Sequence, residues 1–282
     1  MRKLLRLAAW AALVTMTVDT VPAFAQQTVP ANPALDTALG AKIRDGDRAR
    51  DQFRHPRETL EFFGVRPGMT VIDYMPTGGW YSRILVPYLG EGGTYLGMNP
   101  DVSKETGYLA ESYGNLAGTF LAETAKWAPA GGARILAFNA DAVPAGVEGT
   151  VDRVLIFREV HNMFRFGWFY KDMQLVRKLL KPGGLVGVED HRVPESASFE
   201  RSDGNKGYMR ESDVIALFSA MGFDLVAKSE INANPRDPAD WKIGVWELPP
   251  SYAGAANDPA KKARVDAIGE SDRMTLLFRK RP

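Results

Sequence analysis

From Met69 to Ile231 the chain alternates short apolar runs with longer segments of helical period, and few folds accept that alternation. The runs are "MTVIDYM" (Met69–Met75), "GTYLGMN" (Gly93–Asn99), "ARILAFNAD" (Ala133–Asp141), "VDRVLIFREV" (Val151–Val160), "LVGVEDH" (Leu185–His191) and "FDLVAKSEI" (Phe223–Ile231). Among them lie the helical stretches "WYSRILVPYL", "GYLAESYGNLAGTFLAETAKW", "WFYKDMQLVRKLL" and "RESDVIALFSAMG", the third stopped by "KPGG". Strands of this length joined through helices require right-handed crossovers and a mostly parallel sheet. About forty residues without a pattern then precede a last apolar run, "MTLLFRK" (Met274–Lys280). So long an irregular stretch inside a domain has a job.

The N-terminus has different chemistry. Arg2 and Lys3 precede an apolar run from about Leu7 to Val18, and Ala23 and Ala25 give a small-x-small pattern before Gln26. This predicts a signal peptide over residues 1–25, export to the periplasm, and no stable membrane insertion after cleavage, because a spanning helix needs roughly 20 apolar residues. An uncleaved anchor is the alternative. Residues 26–40 read as a flexible leader and 41–282 as the folded domain, whose first part holds two short helices meeting at "RHP", where Pro56 must break or restart a helix. With no cysteine, disulfides, thiolate metal sites and cysteine nucleophiles are excluded. A net charge of +1 without a basic stripe argues against nucleic acid as a partner and for a small-molecule substrate.

The turn after the first run, together with "FREVHNM" and "LLKPGGLVGVED", resembles the class I S-adenosylmethionine (SAM) dependent methyltransferases. More narrowly, "RHPRETLEFFGV", "GGWYSRIL", "DHR", "NPRDPADWKIGVWELPP" and "IGESDRMTLLF" resemble an exported bacterial family described only as predicted methyltransferases, over about Ile43 to Phe278. The resemblance implies an α/β, Rossmann-like sheet ordered 3-2-1-4-5-7-6, with the last strand antiparallel, N-terminal helices, and a long insertion between the last two strands. Ligands of such sheets bind beyond the strands' carboxyl ends where the order reverses, here between the first and fourth strands. SAM is the implied cofactor.

The family's first turn reads acidic-x-Gly-x-Gly-x-Gly. Aligned on Asp73, its glycine positions fall on Met75, Thr77 and Gly79, so only the third is met, with Gly78 beside it. The resemblance implies that Thr77, Gly78 and Gly79 face the amino acid part of SAM and that Asp73 reaches its amino group through water. It also implies that Asn99 stands where relatives hold ribose with an acid, and that Asp141 and the Ala142 amide meet adenine. An amide binds ribose less strongly than a carboxylate does.

Other candidates follow from the residues. Arg158, Glu159, His161 and Asn162 come directly after an apolar strand at the switch point, where buried polar groups need partners. Two of the three histidines, His161 and His191, end neighbouring strands, and Asp190 is placed to fix a tautomer. A sixth, parallel strand delivers the chain to the carboxyl edge and a seventh, antiparallel strand must leave from it. Residues 232–272 therefore serve either as a cover over the crevice or as a solvated turn, with Trp241, Trp246, Pro249 and Pro250 as an apolar surface and Glu270, Asp272 and Arg273 near the strand ends. The first reading is a SAM-dependent methyltransferase acting on a small molecule, with His161 or His191 as base. The alternatives are a periplasmic binding protein that has lost SAM, or a different enzyme built on His161, His191, Asp190 and Arg273. A metal site from His161, His191 and a carboxylate is a lesser alternative: no compact ligand spacing such as H-E-x-x-H is present, so no metal is expected.

Overall fold

The computed structural model describes residues 31–282; the expected signal peptide and leader residues 26–30 lie outside them. The apolar runs become β1 (Thr70–Tyr74), β2 (Thr94–Asn99), β3 (Arg134–Asn139), β4 (Val151–Phe157), β5 (Leu180–His191), β6 (Phe223–Ser229) and β7 (Arg273–Lys280). They form one sheet in the order β3-β2-β1-β4-β5-β7-β6, the order implied by the class I resemblance. β1 to β5 pair in parallel, and β7 runs antiparallel to both β5 and β6. Among the described residues, helices α1 (Pro33–Gly40), α2 (Asp51–Arg54) and α3 (Pro56–Phe62) precede β1, and α4 (Ser82–Leu89) follows it. After β2 come α5 (Tyr108–Tyr113) and α6 (Leu116–Thr124); α7 (Val160–Arg165) and α8 (Phe169–Leu179) join β4 to β5. Finally, α9 (Phe199–Ser202) and α10 (Glu211–Ala220) precede β6, and α11 (Pro259–Ile268) precedes β7.

The runs are continuously apolar because both faces of the sheet are covered, and neighbouring residues on a strand point to opposite sides. Ile72, Leu96, Val154, Val186 and Leu276 face one core with α8 and α10, whereas Val71, Tyr95, Leu155 and Leu277 face a second core with α1 and α4. The Phe63 ring packs directly on the β5 backbone, and a Cβ on Gly187 would lie 2.5 Å from it. That close approach is what holds the N-terminal helices against the middle of the sheet.

Several boundaries differ from the sequence reading. β4 stops at Phe157 because Arg158 turns left-handed at φ 60°, so "REV" leaves the ladder. β5 begins at Leu180, its pairing with β4 continuing past a register shift between Val151 and Arg153. The stretch expected as one helix over 107–127 divides into α5 and α6 around Gly114 and Asn115. The two short helices do meet at "RHP", where His55 is left-handed at φ 40° and Pro56 opens α3.

The leader expectation needs correcting at its end. Residues 33–40 form α1, whose Leu35 and Ala38 are buried in the second core together with α4. Leu35, Ala38 and Leu39 are spaced for one helix face, a signal hidden among alanines and prolines. No helix among the described residues is long and apolar enough to cross a membrane. Because Leu35 is fully buried, Leu35→Ala is expected to cost about 2–4 kcal/mol in urea unfolding. An unchanged midpoint would return this segment to the leader.

Candidate functional site

A cavity of about 350 Å³ opens at the carboxyl ends of β1, β4 and β5, within the range of small-molecule sites. Its floor is the turn from β1 into α4. Met75, Thr77 and Gly79 all adopt positive φ, 50°, 38° and 70°. The backbone thus keeps the glycine conformation at all three family positions, although two carry side chains. For threonine, a β-branched residue, this is a strained state of the kind that collects at binding sites. Met75 is accommodated because its side chain turns into the core. Arg83 holds the turn by donating from Nη1 to the Gly78 carbonyl (2.9 Å), while Nε and Nη2 grip Asp47 at 2.6 and 2.8 Å.

Asp73 sits beneath this turn, 2% exposed. Tyr95 donates to its Oδ2 at 2.8 Å and Ser82 at 3.4 Å. Burial outweighs these bonds and pushes its carboxyl up to about 7. The end of β4 supplies a second carboxyl of this kind, Glu159, which burial also raises to about 7 despite His161 nearby and a 2.7 Å bond from Asn162.

His161 lies in the first turn of α7, and Asp190 at the end of β5 accepts from its backbone N–H and lies 2.9 Å from its Nδ1. A carboxylate that accepts on both oxygens fixes the proton on Nδ1, leaving Nε2 as the basic nitrogen of a residue on the cavity wall. His191 lies beside it, ring centroids 5.3 Å apart, with Nδ1 2.6 Å from Ser271 Oγ. Burial, then His161 and the guanidiniums of Arg273, Arg158 and Arg54, hold His191 well below its ordinary value, so it stays neutral.

The remaining wall is charged. Glu270 accepts from Arg50 Nε at 2.8 Å, from Arg54 Nε at 2.9 Å and from Arg273 Nη1 at 3.0 Å. Glu189 meets Arg273 at 3.0 Å and accepts from Tyr81 at 3.0 Å. Tyr81 is itself stacked on Phe157, 3.5 Å between centroids. Residues from the stretch before α11 complete the lining: Val245, Trp246, Pro249, Pro250 and Ser251.

The structure therefore brings Asp73, Thr77, Gly78, Gly79, Arg158, Glu159, His161 and His191 to one cavity, with Asp190 directly behind His161. It does not bring the other candidates there. Asn99 is buried at the end of β2, its Nδ2 without a partner, and Asp141 and Ala142 lie exposed after β3; none of the three lines the cavity. Arg273 is buried behind the wall, where it pairs with Glu189 and Glu270 and donates to the Phe53 carbonyl, so it supports the site without facing it. His161, Asp190 and His191 also offer metal-ligand atoms within 4.8 Å of one another, the two histidines and a carboxylate of the lesser metal alternative. The His161 Nδ1 and Asp190 are spent on each other, however, and the surrounding guanidiniums oppose a cation. Arg50 and Arg54 were missed; their spacing of four in "RARDQFR" was the available signal, since it puts both on one side of a helical turn.

Solved structures with a similar fold are remote in sequence. The [4+2]-cyclase SpnF matches at 14% identity and a TM-score of 0.52, over 81% of this chain and 81% of that one. A SAM-dependent methyltransferase from Aquifex aeolicus matches at 19% identity and a TM-score of 0.49, over 66% of this chain and 88% of its own. A putative sarcosine dimethylglycine methyltransferase from Galdieria sulphuraria gives 12% identity and a TM-score of 0.49, over 86% and 90%. No protein-family model matches the chain, and no curated protein does. Likeness at this distance speaks to the fold alone, and with the strand order it identifies a Rossmann-like sheet of the class I methyltransferase kind.

Proposed function

We propose that this protein is a SAM-dependent methyltransferase acting on a small molecule outside the cytoplasm. The observation that carries the reading is the left-handed backbone at 75, 77 and 79, which keeps the family's turn even where glycine is gone. One further feature fits the cofactor: a Cβ on Gly78 would meet nothing within 4 Å, so the turn leaves open space on the cavity side. Thr77, Gly78 and Gly79 would hold the amino acid end of the cofactor, with Asp73 beneath it.

SAM bound there supplies an electrophilic methyl group on a sulfonium. The chain supplies alignment, which can lower such a barrier by about 7–11 kcal/mol. The His161–Asp190 pair presents Nε2 as a base for an acceptor hydroxyl, a contribution of roughly 10² to 10⁴-fold. Trp246, Pro249 and Pro250 shield the reacting face from water. A second reading, a binding protein without SAM, draws on one observation: Asn99, Asp141 and Ala142 lie apart from the cavity.

Calorimetry with SAM and S-adenosylhomocysteine separates the two. Gly78→Val is expected to keep the melting temperature and to weaken S-adenosylhomocysteine about tenfold or more, while His161→Asn leaves that affinity alone. Absence of heat and of any thermal shift at millimolar ligand would sink the transferase reading. The export signal predicts a mature chain that begins at Gln26 in a periplasmic fraction, and recovery of intact residues 1–25 in the cytoplasm would refute it.

A site held for ligand at a cost to stability has a pH signature. Burial raises Asp73 from 3.8 to about 7, so the native state binds this proton more tightly than the unfolded chain does. The stability it contributes is fully present below about pH 4 and is lost as the pH rises through about 7; Glu159 acts in the same sense. The unfolding midpoint is therefore expected to fall between pH 5 and pH 8. Asp73→Asn should flatten that fall and exceed the parent at pH 8 by about 1–3 kcal/mol. Equal stability of both proteins at pH 8 would show that burial does not strain Asp73.

A further inference from the structure

The cavity has one wall whose charge is not balanced. Arg50, Arg54, Arg158 and Arg273 converge on only two carboxylates, Glu189 and Glu270. Asp73 and Glu159, themselves pushed up to about 7 by burial, offset only part of the excess. Asp47 offsets little, since Arg83 grips both of its oxygens.

The donors of this wall are also under-used. Arg158 makes a single long contact, 3.5 Å, from Nη1 to Glu189, although it lines the cavity. Arg50 Nη2 is buried with no partner. Arg54 gives only Nε to Glu270, with its guanidinium lying over the Trp80 ring at 4.7 Å. Burial, and then the charge of Arg158, pulls Arg54 down to about 9 although Glu270 opposes the shift, whereas at Arg158 burial is outweighed by the neighbouring Glu189 and Glu270, which raise it. Arg158 and Arg54 are set on different elements, the end of β4 and α2, yet both open onto the same space. Planar guanidiniums converging with free N–H groups are suited to the two or three oxygens of a carboxylate or phosphate.

We infer that the Arg50, Arg54 and Arg158 wall binds an anionic group, carboxylate or phosphate, of the methyl acceptor. The inference rests on the transferase reading for calling that ligand the acceptor, and on the arginines alone for its charge. Trp80, Phe157 and Trp246 on the same cavity would take an apolar or aromatic body attached to that group.

The test titrates the purified chain with phenyl phosphate, benzoate and neutral benzamide, each with and without saturating S-adenosylhomocysteine. Binding of phenyl phosphate or of benzoate, but not of benzamide, is expected, and the tighter of the two names the group. Arg158→Gln should weaken the anion about ten- to a hundredfold. This substitution leaves Glu189 paired with Arg273, so folding is preserved; an unchanged melting temperature checks that. Equal binding of benzamide, or an anion affinity untouched by Arg158→Gln, overturns the inference. So does mutual exclusion of the anion and S-adenosylhomocysteine, which would assign the wall to the cofactor's own carboxylate. If the anion binds with the expected selectivity while S-adenosylhomocysteine gives no heat, the arginine wall stands and the transferase reading falls.

Discussion

One buried carboxylate ties the site together. Glu270, 4% exposed, accepts from Arg50 and Arg54 of the N-terminal segment and from Arg273 at the start of β7. Burial alone would raise its carboxyl, but Arg273 and Arg54, with Arg158 and Arg50, hold it down at about 2. The charged form is therefore the native one at any ordinary pH. Arg273 continues the connection to Glu189 on β5, and Tyr81 bonds Glu189 from the N-terminal side of α4. Four separate stretches of chain, at 50–54, 158, 189 and 270–273, thus meet through ions that cannot leave without stranding a partner, and Tyr81 adds a neutral hydrogen bond from a fifth. Removing one member of such a buried group typically costs 3–5 kcal/mol, because the opposite charge is left uncompensated.

This arrangement explains why the N-terminal helices belong to the site. A class I sheet needs no helices ahead of its first strand to bury its faces. Here Phe63 lies on Gly187, Arg83 clasps Asp47, and Arg50 and Arg54 reach Glu270. The first two contacts are packing and anchorage; the third delivers guanidiniums to the cavity wall. Residues 245–251 close the same cavity from another side, and their backbone is supported by Trp241 and Leu248 in a small core of their own.

What could be read in the sequence follows from what kind of signal each feature leaves. The strands and their crossovers were legible because buried parallel strands leave continuous apolar runs, whereas the strand order came from the family resemblance alone. His161, His191 and Glu159 were legible because polar residues at strand ends stand out against such runs. The pairing of His161 with Asp190 rather than of His191 with Asp190 was not, since it depends on a helix beginning one residue before His161. Arg273 looked catalytic because it opens the last strand at the right edge, yet residue order along a strand does not say whether a side chain faces the cavity or the interior. Asn99 and Asp141 were assigned from a family pattern, and the structure keeps both away from the cavity. Arg50 and Arg54 lay outside the alternating region altogether, in a segment whose short helices carry no extended period.

The cavity holds two unlike sets of ionisable groups. Glu189 and Glu270 are compensated by arginines and built into the frame, whereas burial dominates at Asp73 and Glu159 and leaves both near 7. A cationic ligand beside the second pair would return them to the charged form and recover part of what burial takes away. On the proposed reading, bound SAM would supply such a cation in its sulfonium, and Asp73 and Glu159 would be the residues placed to hold it, while the arginine wall would attract an anion. On that reading, a crevice favouring a positive donor on one side and a negative acceptor on the other would orient both before any base acts.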